Sequence, residues 1–66
     1  MDREQQIAYI NSQIVCAMAE IEGMKANNKM REDRQEALAY GENDFIDIPA
    51  KYSLDHNSVI KLFHNL

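Results

Sequence analysis

Ile7-Ala8-Tyr9-Ile10-Asn11-Ser12-Gln13-Ile14-Val15-Cys16-Ala17-Met18-Ala19-Glu20-Ile21-Glu22-Gly23-Met24 is the stretch whose spacing decides the fold. Ile7, Ile10, Ile14, Ala17, Ile21 and Met24 recur at intervals of three and four, the seam of a helix that packs along another helix. β-Branched runs of period two are absent, which leaves strands little support. Upstream, Asp2 suits an N-cap, and Gln5 completes a capping-box pattern. Within the stretch, Ile14-Val15-Cys16-Ala17-Met18-Ala19 turns apolar side chains nearly all round the helix, and such a helix needs cover on every side. Ala8, Ser12 and Cys16 add a row of small residues that lets another helix approach closely. In that setting Cys16 is expected to be buried and inert.

The rest of a 66-residue chain is too short to supply that cover. A chain of this length buries only about 60% of the surface its unfolded form exposes. Its core supplies roughly 3–5 kcal/mol unless something staples or doubles it. The single cysteine excludes an internal disulfide, and the two histidines stand apart from it, so no metal-ligand set is expected. Oligomerisation remains. The reading is an all-α homodimer, antiparallel or crossed, along Ile7, Ile10, Ile14, Ala17, Met18, Ile21 and Met24.

Outward from that stretch, the apolar signal nearly stops between Lys25 and Glu36. A continuous helix from Arg3 to Tyr40 would be about 55 Å long. The adjacent Asn27 and Asn28 have poor helix propensity, so a bend or break near Asn28, giving a helical hairpin over 3–40, is the preferred expectation. Gly41 is a good helix terminator after Ala37-Leu38-Ala39-Tyr40. Glu42-Asn43-Asp44 suits a helix start, Pro49 keeps that helix short, and Ser53-Leu54 turns. Asp55 caps a last helix whose apolar face is Val59, Ile60, Leu62, Phe63 and Leu66. Residues 43–66 thus read as a compact, helix-turn-helix-like two-helix corner within a single domain, 1–66.

Composition limits function. Apolar residues are 45% and charged residues 27%, which is globular composition, and the net charge of -4 argues against a coat for nucleic acid or acidic membranes. The lone thiol, the Met-Asp-Arg-Glu start and the lack of a long apolar run suggest a cytoplasmic protein. No nucleophile–base pair and no Gly-rich phosphate loop can be picked out, so neither an enzyme nor a cofactor is expected. Residues 25–34 carry +2 and residues 36–47 carry -4. The plain reading is solvated faces. The sharper one is a partner-binding surface made of Lys25, Lys29, Arg31, Arg34 and Tyr40, or an acidic segment that docks on a basic protein. Two rival functions remain open. Ile48, Tyr52, Ser53, Leu54, Val59 and Leu62 are spaced like a helix-turn-helix core, which would offer His56, Asn57, Ser58 and Lys61 to DNA. Alternatively, the Lys25–Arg34 cations with Tyr9 or Tyr40 could hold a nucleotide signal between chains, as an oligomeric sponge.

Ala17-Met18-Ala19-Glu20, Gly23-Met24-Lys25-Ala26-Asn27-Asn28, Ala37-Leu38-Ala39-Tyr40-Gly41-Glu42, Phe45, Lys51-Tyr52 and His56-Asn57-Ser58-Val59 together cover most of the chain. They resemble small early proteins of bacteriophages and prophages. The chain is similar to the phage anti-activator type, small helical dimers that bind a host quorum-sensing regulator and sometimes a pilus motor ATPase. Pro49 and the doubled Asn27-Asn28 depart from the wider pattern and put helix continuity in doubt. The resemblance implies inhibition of a host protein, such as a transcriptional regulator or defence component, by binding and without chemistry, in the host bacterial cytoplasm.

Overall fold

The computed structural model describes residues 2–64, and all of the regular structure among them is helical. Helix α1 spans Arg3–Asp33, α2 Glu42–Ile46, α3 Ile48–Lys51 and α4 His56–His64. The capping box forms as the sequence suggests: the Gln5 amide donates to Asp2 Oδ1 at 2.7 Å, and the Asp2 amide donates to Gln5 Oε1 at 3.1 Å. At 31 residues, α1 is about 46 Å long and sets the 50 Å long axis of a molecule only 18 × 9 Å across.

Two expectations fail at the far end of α1. No break occurs at Asn27-Asn28, and the helix stops at Asp33 instead of reaching Tyr40. The stop is a Schellman motif built without glycine. The Glu36 amide reaches Arg31 O at 2.8 Å, the Gln35 amide reaches Glu32 O at 3.0 Å, and Gln35 sits at φ 60°. That left-handed conformation is costly for a side chain with a Cβ, and a glutamine gives no sequence signal for it. Gly41 accordingly ends no helix. It is the N-cap of α2, where its amide meets Asp44 Oδ2 at 2.8 Å.

The chain then runs back along α1. The corner expected over 43–66 is three short helices. Pro49 lies in the first turn of α3, where its missing amide costs nothing. A second left-handed residue, Ser53 at φ 58°, turns the chain, and Asp55 Oδ2 accepts the Ser58 amide at 3.3 Å to cap α4. Leu66, assigned above to the apolar face of α4, lies outside the described residues.

The core is thin. Ala17, Met24 and Ile48 are buried, with Ile21, Tyr40, Phe45, Tyr52 and Leu54 packed round them. The radius of gyration is 15.3 Å, against about 11 Å for a compact chain of this length. The accessible surface is 5172 Å², against about 4,300 Å² for a compact monomer of this mass.

Candidate interaction surfaces

The covered side of α1 is held by a polar ladder as much as by apolar contact. Gln6 Nε2 donates to Leu62 O at 2.8 Å, and Gln13 Nε2 to Tyr52 O at 3.1 Å. Glu20 pairs with Lys51. Asn28 accepts the amides of Ala39 and Tyr40 at 3.1 and 3.0 Å and donates to Tyr40 O at 2.9 Å. Arg31 Nη1 donates to Ala37 O at 3.5 Å. Partners on the return leg thus fall in number as those on α1 rise, and the two legs are antiparallel. Gln6, Gln13 and Glu20 are seven apart, Ile10, Ala17 and Met24 interleave with them, and together they form one face of a helix.

Glu20, Lys51 and Tyr52 form the only junction whose protonation the fold visibly biases among the described residues. Asp55, biased by Ser58, is a cap and stands apart from it. Lys51 holds the Glu20 carboxyl below its ordinary value, burial works against that shift, and the Tyr52 hydroxyl assists it. Lys51 is raised mainly by Glu20, and Tyr52 is raised first by Glu20 and then by burial. The signs follow by linkage. A depressed Glu20 adds stability above its unfolded value of 4.5 that is lost as pH falls through the folded pKa. Raised Lys51 and Tyr52 add stability below 10.5 and 10.0 that is lost as pH rises through their folded values. Melting followed against pH should therefore show a plateau from weakly acidic to weakly alkaline solution. Glu20→Gln should flatten both limbs, and Asp55 leaves a residual acid limb. An unchanged profile in Glu20→Gln would remove the junction from the account.

The seam expected to join two chains divides between two faces. Ala17 and Met24 are buried by this chain's own return leg, and Ile10 and Ile21 are half-buried. Ile7, Ile14 and Met18 lie about a quarter turn round the helix from Ala17 and remain exposed, Met18 at 62%, with Val15 beyond them at 66%. Cys16 is exposed as well, contrary to the buried thiol expected, because the return leg covers only the other side of α1.

The basic set is also dispersed. Lys25 pairs with Glu22 at 3.0 Å and Lys29 with Asp33 at 3.3 Å on the outer side of α1. Arg31 points instead to the return leg, bonded to Asn27, Ala37 O and Glu36. Arg34 is the exposed C-cap, and Tyr40 is half-buried in the core margin. The residues offered to DNA lie on α4, with His56, Asn57 and Lys61 exposed and Ser58 half-buried. The helix before their turn, α3, has a single turn. Tyr9, Ser53, Ser58, Lys61 and Leu62 line an open cleft of about 320 Å³. Among the described residues no group of three His, Cys, Asp or Glu side chains is placed to hold a metal, and no helix is long and apolar enough to cross a membrane.

Two exposed apolar residues escaped the sequence reading. Leu38 is 57% and Ile46 61% exposed, on the stretch that carries Glu36, Glu42, Asp44 and Asp47. Leu38, between two alanines, reads as helical core, and the early end of α1 is what leaves it outside a helix; Ile46 closes α2 on its outward side. The fold and its surfaces define an all-α chain, one long helix with a short helical return leg. No family model matches it, and neither a curated protein nor a solved structure matches it significantly.

Proposed function

We propose that this chain is a phage-encoded, non-catalytic interaction protein that binds and inhibits a host protein, such as a transcriptional regulator or defence component. The observation that supports the reading most is the exposure of Leu38 and Ile46 within a segment of charge -4. Exposed apolar residues on a strongly acidic segment suit a partner surface that is apolar in part and basic around it. The polar ladder fixes the segment in place, so little ordering entropy opposes binding. The resemblance to phage anti-activators supplies the class of target.

The test is capture of a host protein from lysate by the tagged chain, compared with a Leu38→Asp/Ile46→Asp variant. Wild type should retain one stoichiometric protein, and the variant should bind it at least ~30-fold more weakly while keeping its helicity. Capture by the variant at wild-type strength, or no stoichiometric partner for either, would sink the reading.

A further inference from the structure

We propose that Arg34–Tyr40 is a two-state segment: a turn while the return leg is docked, and about two further turns of α1, ending at Gly41, once the leg lets go. Three observations carry this. The first is sequence. Arg34-Gln35-Glu36-Ala37-Leu38-Ala39-Tyr40 holds no glycine, proline or β-branched residue, and all but the tyrosine stand among the stronger helix formers. Gly41 follows as a helix terminator that the docked form does not use as one. The second is what the turn lacks. Gln35 takes φ 60°, a conformation that is costly for a residue with a Cβ. Residues 34–39 are all exposed, so no apolar burial within the turn offsets that cost. The third is hydrogen bonding. Asn28 Oδ1 accepts the amides of Ala39 and Tyr40, and the amides of Ala37 and Leu38 meet no acceptor among the described residues. In a continued helix these four amides find carbonyls four residues back, on Asp33, Arg34, Gln35 and Glu36. The Gln35 and Glu36 amides, now on Glu32 O and Arg31 O, only exchange those two acceptors. The amides of Ala39 and Tyr40 thus have rival acceptors, and the two forms exclude each other. Extension carries Tyr40 from beside Asn28 to about 18 Å beyond it along the axis, which pulls Lys51 from Glu20 and Tyr52 O from Gln13. Leu38 then continues the seven-residue row of Ala17, Met24 and Arg31, so the open form presents one unbroken helix face that the docked leg covers. Burial of Ile48 against α1 keeps the docked form the major one, and so does the like-charge pair that Glu32 and Glu36 would make in the longer helix. The return leg is thus a latch, and Asn28 is its catch.

The full chain carrying Asn28→Ala tests this, because it removes the catch and leaves the core residues in place. The open form should become about 30-fold more populated than in wild type. Carbon relaxation dispersion and saturation transfer detect a minor form that exchanges in microseconds to milliseconds. Its Cα shifts should lie on the helical side of coil from Gln35 to Tyr40, continuous with those of Asp33. Gln35→Gly, added to Asn28→Ala, suits the left-handed turn and weakens the helix, and should lower the open population about tenfold. Gln35→Ala, added instead, keeps the cost of the turn and favours the helix, and should not lower it. Coil shifts over 35–40 in the minor form, no exchange there in Asn28→Ala, or equal open populations with glycine and alanine at position 35 would each overturn the proposal. The assay contains no host component and leaves Leu38 and Ile46 untouched, so its failure is separate from failure of the host-binding reading.

Discussion

Asn28→Ala is expected to destabilise the chain by about 2 kcal/mol, although alanine is the better helix former by up to about 0.7 kcal/mol. The two effects have opposite signs, and their magnitudes decide between them. Asn28 is half-buried inside α1, and its amide group makes three hydrogen bonds to Ala39 and Tyr40. Each such bond contributes about 0.5–1.5 kcal/mol net, and a partly buried partner left unpaired adds to the loss. The exposed Ala39 amide recovers water; the half-buried Tyr40 amide and carbonyl recover less. Against a total of roughly 3–5 kcal/mol for a core of this size, the loss shifts the thermal midpoint by about 8–16 °C. Asn28→Asp should fall between, since it keeps an acceptor for the two amides and turns a carboxylate oxygen towards Tyr40 O. Urea unfolding at one protein concentration measures all three chains. A rise in stability for Asn28→Ala would mean that propensity governs the site and the clamp contributes nothing.

The same residue shows what was legible in the sequence. Helix over residues 3–24, the Asp2–Gln5 box, the start at Glu42 of a helix kept short and the Asp55 cap all follow from local chemistry, and the structure has them. Asn28 departs from the expectation because propensity describes an isolated helix, whereas its side chain serves a contact twelve residues away. Gln35 was invisible because a left-handed C′ residue is foreseen only when it is glycine or asparagine. Without that stop the helix extends on to Tyr40 and sets Leu38 among helical positions. The apolar spacing 7–10–14–17–21–24 was real but straddled two faces. The face that meets the return leg is marked by Gln6, Gln13 and Glu20 at the same seven-residue interval, a polar repeat that a search for apolar periodicity passes over. Charge runs located the acidic segment, yet they could not show that Arg31 turns inward to Ala37 O while Lys25 and Lys29 stay outside.

Ile48→Ala should abolish the cooperative melt altogether. In α3, Ile48 is 5% exposed and is the return leg's only buried apolar residue among those described, set with Ala17 and Met24 of α1. Truncating a buried isoleucine to alanine costs about 2–5 kcal/mol, as much as a core of this size supplies. A larger protein spreads such a loss over many neighbours; here two other buried apolar side chains and a margin of half-buried ones hold the legs together. Once α3 undocks, Lys51 leaves Glu20 and Tyr52 O leaves Gln13, so the ladder opens from its middle. α1 then keeps only the partial helicity of an isolated helix in water, and far-UV dichroism should decline gradually on heating. Ile48→Val removes one methyl, costs about 0.5–1.5 kcal/mol, and should keep a sharp transition at a lower midpoint. This pair of variants separates docking from helix formation, because neither change touches α1. A sharp transition in Ile48→Ala within a few degrees of wild type would mean that α3 is not what binds the return leg to α1, and that the polar ladder alone holds the two legs.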